Sequence, residues 1–127
     1  MPLILAKKTD SFYYPINLPV MTGGRSQIAR FEFRFKELPR SRFNALLKER
    51  TATSDLDIDS LDRDTDYIMD IADGWRGVND ANDNPLEFNR ENLTALLDTF
   101  QNAANEIGNA YIEAVFNGGR KAKNSQR

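Results

Sequence analysis

Acidic and amide side chains at regular spacing are the first candidates for chemistry in this chain of 127 residues. Four of them stand at positions 1, 3, 5 and 12 of a calcium-binding loop, namely Asp80, Asn82, Asn84 and Glu91. A second set repeats the spacing with Asp55, Asp57, Asp59 and Asp66. Position 6 of such a loop requires glycine, but the two sets have Pro85 and Ser60 there. We therefore predict that neither set binds calcium.

A further acidic series could hold magnesium for a hydrolytic reaction, and it consists of Asp62, Asp64, Asp66, Asp70 and Asp73. The alternative, which we favour, is that its first members stabilise a helix N-terminus and the others face water. The sequence has no histidine and no cysteine, so it lacks the commonest general base and the thiolate nucleophile. We expect no enzyme, catalytic residue, metal site or cofactor, and keep a small magnesium- or calcium-dependent protein as an alternative.

Basic side chains alternate with phenylalanines in one segment, where Arg30, Arg34 and Lys36 stand between Phe31, Phe33 and Phe35. Such a strip can bind single-stranded nucleic acid when the aromatic rings stack on bases. Rings used in that way would leave the core, and a hairpin without a core face is not stable. The formal net charge of −2 also provides no global positive field. We therefore expect buried phenylalanines and neither nucleic acid nor membrane as a partner.

Length and composition predict one soluble domain, because 127 residues with 40% hydrophobic content can form a single core. The apolar run near the N-terminus is short and precedes its positive charges, which is not the order of a signal peptide. No apolar stretch approaches the roughly 20 residues of a membrane span. The absence of cysteine is compatible with a reducing compartment, so we expect a cytoplasmic protein.

Two strands and a glycine turn predict an N-terminal antiparallel hairpin. Apolar residues alternate from Phe12 to Val20, with Pro15 and Pro19 on the other parity, which is typical of an edge strand. After Gly23 and Gly24 the alternation resumes at the three phenylalanines. Ile28 has the opposite parity, so either a bulge lies near Ala29 or the regular strand begins at about Arg30. The pattern does not decide between the two.

Three helices are predicted to cover this hairpin. The first begins around Pro39 to Ser41 and carries its apolar residues on one side, namely Phe43, Leu46 and Leu47. A polar, acidic connection from Thr51 to Ser60 follows. The second helix runs from about Leu61 to Asp73 and ends at Gly74, so that Trp75 anchors the chain as it leaves the helix.

The third helix has the strongest periodicity in the sequence. Asn89 offers an N-cap, and one apolar stripe continues for about six turns until Gly118 and Gly119, through Leu93, Leu96, Leu97, Phe100, Ala104, Ile107, Tyr111 and Val115. The prediction is an α+β fold with a hairpin packed on three helices, the last of them long. Residues 1–118 form the single domain, and 119–127 are a flexible, disordered basic tail.

A second apolar patch is expected on the third helix, because Ile112 and Phe116 lie roughly 100–140° from the core stripe. A bulky pair four residues apart is either packed under the hairpin or offered to a partner helix. The sequence leaves both open. As a hypothesis, Ile112 and Phe116, together with Tyr111, bind an amphipathic segment of another protein by helix-in-groove recognition.

The order of motifs in the second half carries a resemblance to a known family. Trp75 is followed by x-Gly77-Val78 and then by an acidic turn. Pro85 to Phe88 lead into the Asn89 N-cap, and the helix after it starts with Asn92-Leu93. Ala110-Tyr111 come late in that helix. This order resembles the tail assembly chaperones of long-tailed, siphovirus-type bacteriophages and prophages. The first half resembles them through Phe-x-Phe-Lys at the end of its second strand. Asn84 departs from the usual glycine of the turn, and Gln101 stands near a position often held by proline.

The resemblance implies a phage morphogenesis factor in the host cytoplasm that is absent from the finished virion. It would bind the tape measure protein and keep it soluble, while a form extended by ribosomal frameshifting recruits tail tube protein. The basic tail is where such a shift would fall, and an ordinary frayed terminus explains that tail equally well. A structural tail or connector subunit of the virion is the main alternative. The sequence leaves self-association open.

Overall fold

The computed structural model describes residues 11–51 and 60–116. Its elements are β1 (Ser11–Thr22), β2 (Arg25–Lys36), α1 (Arg40–Thr51), α2 (Ser60–Ile71), β3 (Ala72–Arg76), α3 (Arg90–Thr99) and α4 (Ala103–Phe116). The three strands form one antiparallel sheet in the order β1-β2-β3. The α+β fold class is therefore confirmed. The predicted basic tail, its preceding glycines and most of the acidic connection before α2 lie outside the described residues.

The predicted hairpin is confirmed, with β1 and β2 paired over their full length. Gly23 and Gly24 have φ values of 59° and 79°, the left-handed conformations that a tight two-residue hairpin turn requires. Alternate residues of both strands are buried, and Phe33 and Phe35 are fully enclosed. Among the described strands β1 has a neighbour on one side only. It is the edge strand that its two prolines indicate.

Both explanations for the parity of Ile28 are wrong. The β1–β2 register runs without interruption from the turn, and Ile28 pairs with Pro19 on the outer face while Ala29 keeps the core parity opposite Leu18. The irregularity lies elsewhere, between Arg34 and Phe35 in the pairing of β2 with β3. Ile28 is off-parity because it is a solvent-facing residue, 52% exposed.

The second helix ends earlier than predicted. It stops at Ile71, and Ala72–Arg76 form a five-residue strand that pairs with β2. Gly74 lies inside this strand, beside Arg34, and does not terminate the helix. Ile71, Ala72 and Trp75 satisfy a helical spacing and also allow a strand, so periodicity alone could not separate the two. Pairing with β2 favours the strand, because it provides the main-chain hydrogen bonds that another helical turn would otherwise have provided.

The long third helix is divided in two. Residue Phe100 has φ −117° and ψ 104°, which ends α3, and the Ala103 N–H then donates to the Phe100 carbonyl oxygen over 3.0 Å to close a turn. The apolar stripe continues across this break, so α3 and α4 both face the core, with Leu93, Ile107 and Tyr111 almost completely buried. Within the described ranges, no helix has the length and apolar character that a membrane span requires.

Candidate functional site

Trp75 joins the sheet to the segment that follows it. Its indole N–H donates a hydrogen bond to the Leu86 carbonyl oxygen over 2.8 Å. Its ring lies edge-on to Phe33, with centroids 5.7 Å apart, and edge-on to Phe88 at 5.1 Å. Both contacts have the geometry that aromatic pairs prefer, and the polar end of the indole is satisfied. Trp75 therefore anchors the Leu86–Phe88 segment to the sheet from within β3, a different position from the helix exit that the sequence predicts.

Gly77 and Asn89 fix the backbone on either side of that anchor. Gly77 has φ 85°, and a Cβ atom built on it would lie 3.3 Å from the Cα and the Cβ of Phe31. Asn89 is the N-cap of α3, since its Oδ1 accepts from the Asn92 N–H over 2.8 Å. The side-chain amide of Asn92 in turn donates to the Glu87 carbonyl oxygen. These motif residues have a structural use: they set the course of the chain from β3 to α3.

The amide-rich loop between them satisfies its own polar groups. The Asp80 carboxylate accepts from the main-chain N–H groups of Asn82 and Asn84, over 2.8 and 3.0 Å. The left-handed residue of the loop is Asp83, with φ 65°. Asn84 can therefore replace the glycine that is usual in the family without strain. These two hydrogen bonds orient the Asp80 carboxylate within its own loop.

Three carboxylates of the acidic series form ion pairs with arginines from other elements. Asp66 pairs with Arg90 at 2.6 Å, Asp70 with Arg42 at 3.2 Å, and Asp73 with Arg34 at 2.6 Å. The pairs connect α2 and its extension into β3 with α3, α1 and β2, respectively. In the described part of the chain no group of three or more acidic, histidine or cysteine side chains is placed to hold a metal ion.

Arg34 of the basic strip on the outer face of the sheet is also engaged, and so is Arg76 on the neighbouring strand. Arg34 donates through Nε to Asp73, and Arg76 donates to Glu32 over 2.7 Å while its guanidinium lies 3.7 Å above the Tyr13 ring. Burial by itself raises the pKa of Asp73, but hydrogen bonds from Arg34 and Ser11 and the nearby positive charges outweigh it and hold that pKa below its usual range. The phenylalanines between the basic residues are buried, as predicted.

The three residues of the predicted partner-binding patch lie in different environments. Tyr111 is 1% exposed, and its hydroxyl donates to the Lys36 carbonyl oxygen over 3.1 Å, which makes it a core residue and not an accessible contact. Ile112 is half-buried against the core. Phe116 is 75% exposed, with one edge-on contact to Phe43 of α1 at 6.1 Å. Only the Ile112–Phe116 side of the patch reaches the surface.

The hairpin presents a second apolar surface that periodicity did not identify as one. Met21 and Ile28 are 71% and 52% exposed. They lie at the far end of the sheet from Phe116. The start of α4 is near Pro19, because the Asn102 side chain donates to the Pro19 carbonyl oxygen. The end of α4 is near Lys36 at the opposite end of the hairpin, because the Tyr111 hydroxyl donates to the Lys36 carbonyl oxygen. The off-parity position of Ile28 was the signal that could have found it.

The family model described as phage tail assembly chaperone matches residues 1–124. The chain therefore belongs to the phage tail assembly chaperone family, and its role is that of a chaperone in tail assembly. No curated protein matches the chain, and no solved structure does.

Proposed function

We propose that the chain binds the tape measure protein during tail assembly and keeps it soluble until the tail tube forms around it. Membership of the chaperone family is the observation that carries this proposal. The protein acts by stoichiometric binding and not by catalysis. It works in the host cytoplasm, and an extended frameshift form recruits tail tube protein.

The proposed contact surface consists of Ile112 and Phe116 on α4, with Phe43 of α1 at its border. Phe116 is large, apolar and 75% exposed, and Ile112 lies one helical turn before it. An amphipathic helix of the partner would pack across these side chains and remove them from water, a transfer worth roughly 25 cal/mol per Å² of apolar area before the cost of association is subtracted. The edge-on contact with Phe43 holds the Phe116 ring in place before binding.

Co-expression with the tape measure protein of the same phage tests this proposal. We expect the tape measure protein to stay soluble and to co-purify with the wild-type chain. Phe116→Ser should remove most of the co-purifying protein, because it deletes the largest apolar contact of the surface. The fold should be retained, since three quarters of this side chain is already in water.

Asp98→Asn is the matched control, because Asp98 is exposed on α3, outside the proposed surface, and carries no apolar side chain. It should leave co-purification unchanged. If Phe116→Ser keeps both its circular dichroism spectrum and full co-purification, the surface is wrong. If the wild-type chain neither binds nor solubilises the tape measure protein, the function itself is wrong. Detection of the chain in purified virions by mass spectrometry would favour a structural tail subunit.

A further inference from the structure

The distal end of the β1–β2 hairpin extends beyond the helices. Residues 21–28 are all exposed, whereas the strand residues nearer the helices alternate with buried positions. Pro19, Met21 and Ile28 lie together on the outer face, since Pro19 and Ile28 are cross-strand partners and Met21 is two residues further along β1. These three residues are called the hairpin-tip patch. Met21 and Ile28 are 71% and 52% exposed to water, although burial would stabilise them.

Positive charge borders the hairpin-tip patch. Arg30 follows Ile28 on the same face, whereas Arg25, two residues before Gln27, has the parity of the opposite face. Neither arginine has an ion-pair partner within the described residues. The acidic side chain further along this face, Glu32, is already paired with Arg76. The patch therefore presents apolar surface beside one unneutralised cation, Arg30, in a chain whose net charge is negative.

A partner cannot extend the sheet at this place by adding a strand to β1. Thr22 pairs with Arg25 across a two-residue turn, so the even-numbered residues of β1 bond to β2 and the odd-numbered residues point their main-chain N–H and C=O groups toward the outer edge. Pro15 and Pro19 are odd-numbered, and they have no N–H group to offer there. The Pro19 carbonyl oxygen on that edge already accepts from the Asn102 side chain over 2.9 Å. The face of the hairpin is available, and its edge is not.

Charge decides which occupant fits that face. A symmetric contact between the tips of two copies would bring Arg30 of one copy near Arg30 of the other, which like-charge repulsion opposes. We propose that the hairpin-tip patch binds an amphipathic helix of another protein, whose apolar stripe covers Met21 and Ile28 and whose flanking Asp or Glu side chain pairs with Arg30. This surface is separate from the Ile112–Phe116 surface, and it does not rest on the function proposed above.

Fluorescence anisotropy with a labelled synthetic helix tests the proposal on the full chain. The probe carries leucines at i, i+4 and i+7 with glutamates beside them, and a second probe replaces each glutamate by lysine. We expect the acidic probe to bind and the lysine probe to bind at least about tenfold more weakly. The double variant Met21→Ser/Ile28→Ser and the single variant Arg30→Glu should each weaken the acidic probe by about tenfold or more.

Two matched controls separate this surface from others. Gln27→Ala changes an exposed residue on the opposite face of the same strand, and Phe116→Ser changes the distant apolar surface. Both should bind the acidic probe as the wild type does. Equal binding of the two probes, or unchanged binding by the Met21/Ile28 variant, would overturn the proposal. Sedimentation that shows an oligomer dissociated by that variant would assign the patch to a second copy and would overturn it as well.

Discussion

Gly77 lies so close to Phe31 that a Cβ atom at position 77 would stand 3.3 Å from the Phe31 Cα and Cβ atoms. This contact, with the φ of 85° at Gly77, brings the chain after β3 against β2. The glycine of the family motif is therefore required for two reasons, conformation and space. An L-residue in the left-handed region costs about 1–2 kcal/mol, and a crowded Cβ adds to that.

Gly77→Ala should destabilise the protein by about 2–3 kcal/mol, measured by urea unfolding. Gly24→Ala is the control, because Gly24 has a similar φ of 79° but a Cβ there would meet no atom within 4 Å. Gly24→Ala should lower the free energy of unfolding by about 1 kcal/mol, the cost of the left-handed conformation alone. Equal losses in the two variants would show that the contact with Phe31 has no energetic effect.

The hairpin could be predicted from sequence because its information is local. Alternation from Phe12 to Val20 and at the three phenylalanines marks which face is buried, and two glycines mark the turn. The N-cap at Asn89 could be predicted for the same reason, since a side chain capping a main-chain N–H three residues later is a local interaction. The hairpin and this N-cap are therefore the elements in which the structure agrees with the sequence pattern.

The missed elements depend on distant contacts. The strand Ala72–Arg76 contains aspartate and glycine, which are poor strand residues, and it exists because β2 offers a partner in register. The break after α3 leaves the apolar period intact, so no pattern marks it. Of the residues proposed to bind a partner, Phe116 is exposed, but Tyr111 is buried because Phe35 and Phe43 enclose its ring, at 5.1 and 5.8 Å.

The Arg34–Asp73 pair predicts a pH dependence of stability. The pKa of Asp73 in the folded state lies below its ordinary value of about 3.9. A carboxyl with a lowered folded-state pKa stabilises the fold above the unfolded-state pKa, and this contribution is lost as the pH falls through the folded-state pKa. Asp73→Asn should therefore cost about 1 kcal/mol at about pH 7. The difference from wild type should shrink as the pH falls below about 4.

Urea unfolding of both proteins at about pH 7 and about pH 3 measures this difference. Asp98→Asn is the control, because Asp98 is an exposed carboxylate on α3 with no ion pair among the described residues. Its substitution should change stability little at either pH. A loss in Asp73→Asn that is the same at both pH values would mean that the hydrogen-bond geometry, and not the charge, stabilises this site.

Gln101 is a position where proline should be accepted. It is the second residue of the turn that the Ala103 N–H closes on the Phe100 carbonyl oxygen, and proline is favoured there. Phe100, with φ −117° and ψ 104°, already has the extended conformation that a residue before proline adopts. Within the described residues the Gln101 N–H donates no hydrogen bond that proline would remove. Proline at position 101 therefore fits this loop.

Gln101→Pro should raise the free energy of unfolding by about 0.4–1 kcal/mol, because proline restricts the unfolded chain and leaves the native turn unchanged. Asn102→Pro is the matched control one residue later. It removes the hydrogen bond from the Asn102 side chain to the Pro19 carbonyl oxygen and places proline at the third turn position, where type I turns disfavour it. It should destabilise the protein. A loss of stability in Gln101→Pro as large as in Asn102→Pro would mean that the native turn cannot accommodate proline at either position, which would contradict this prediction.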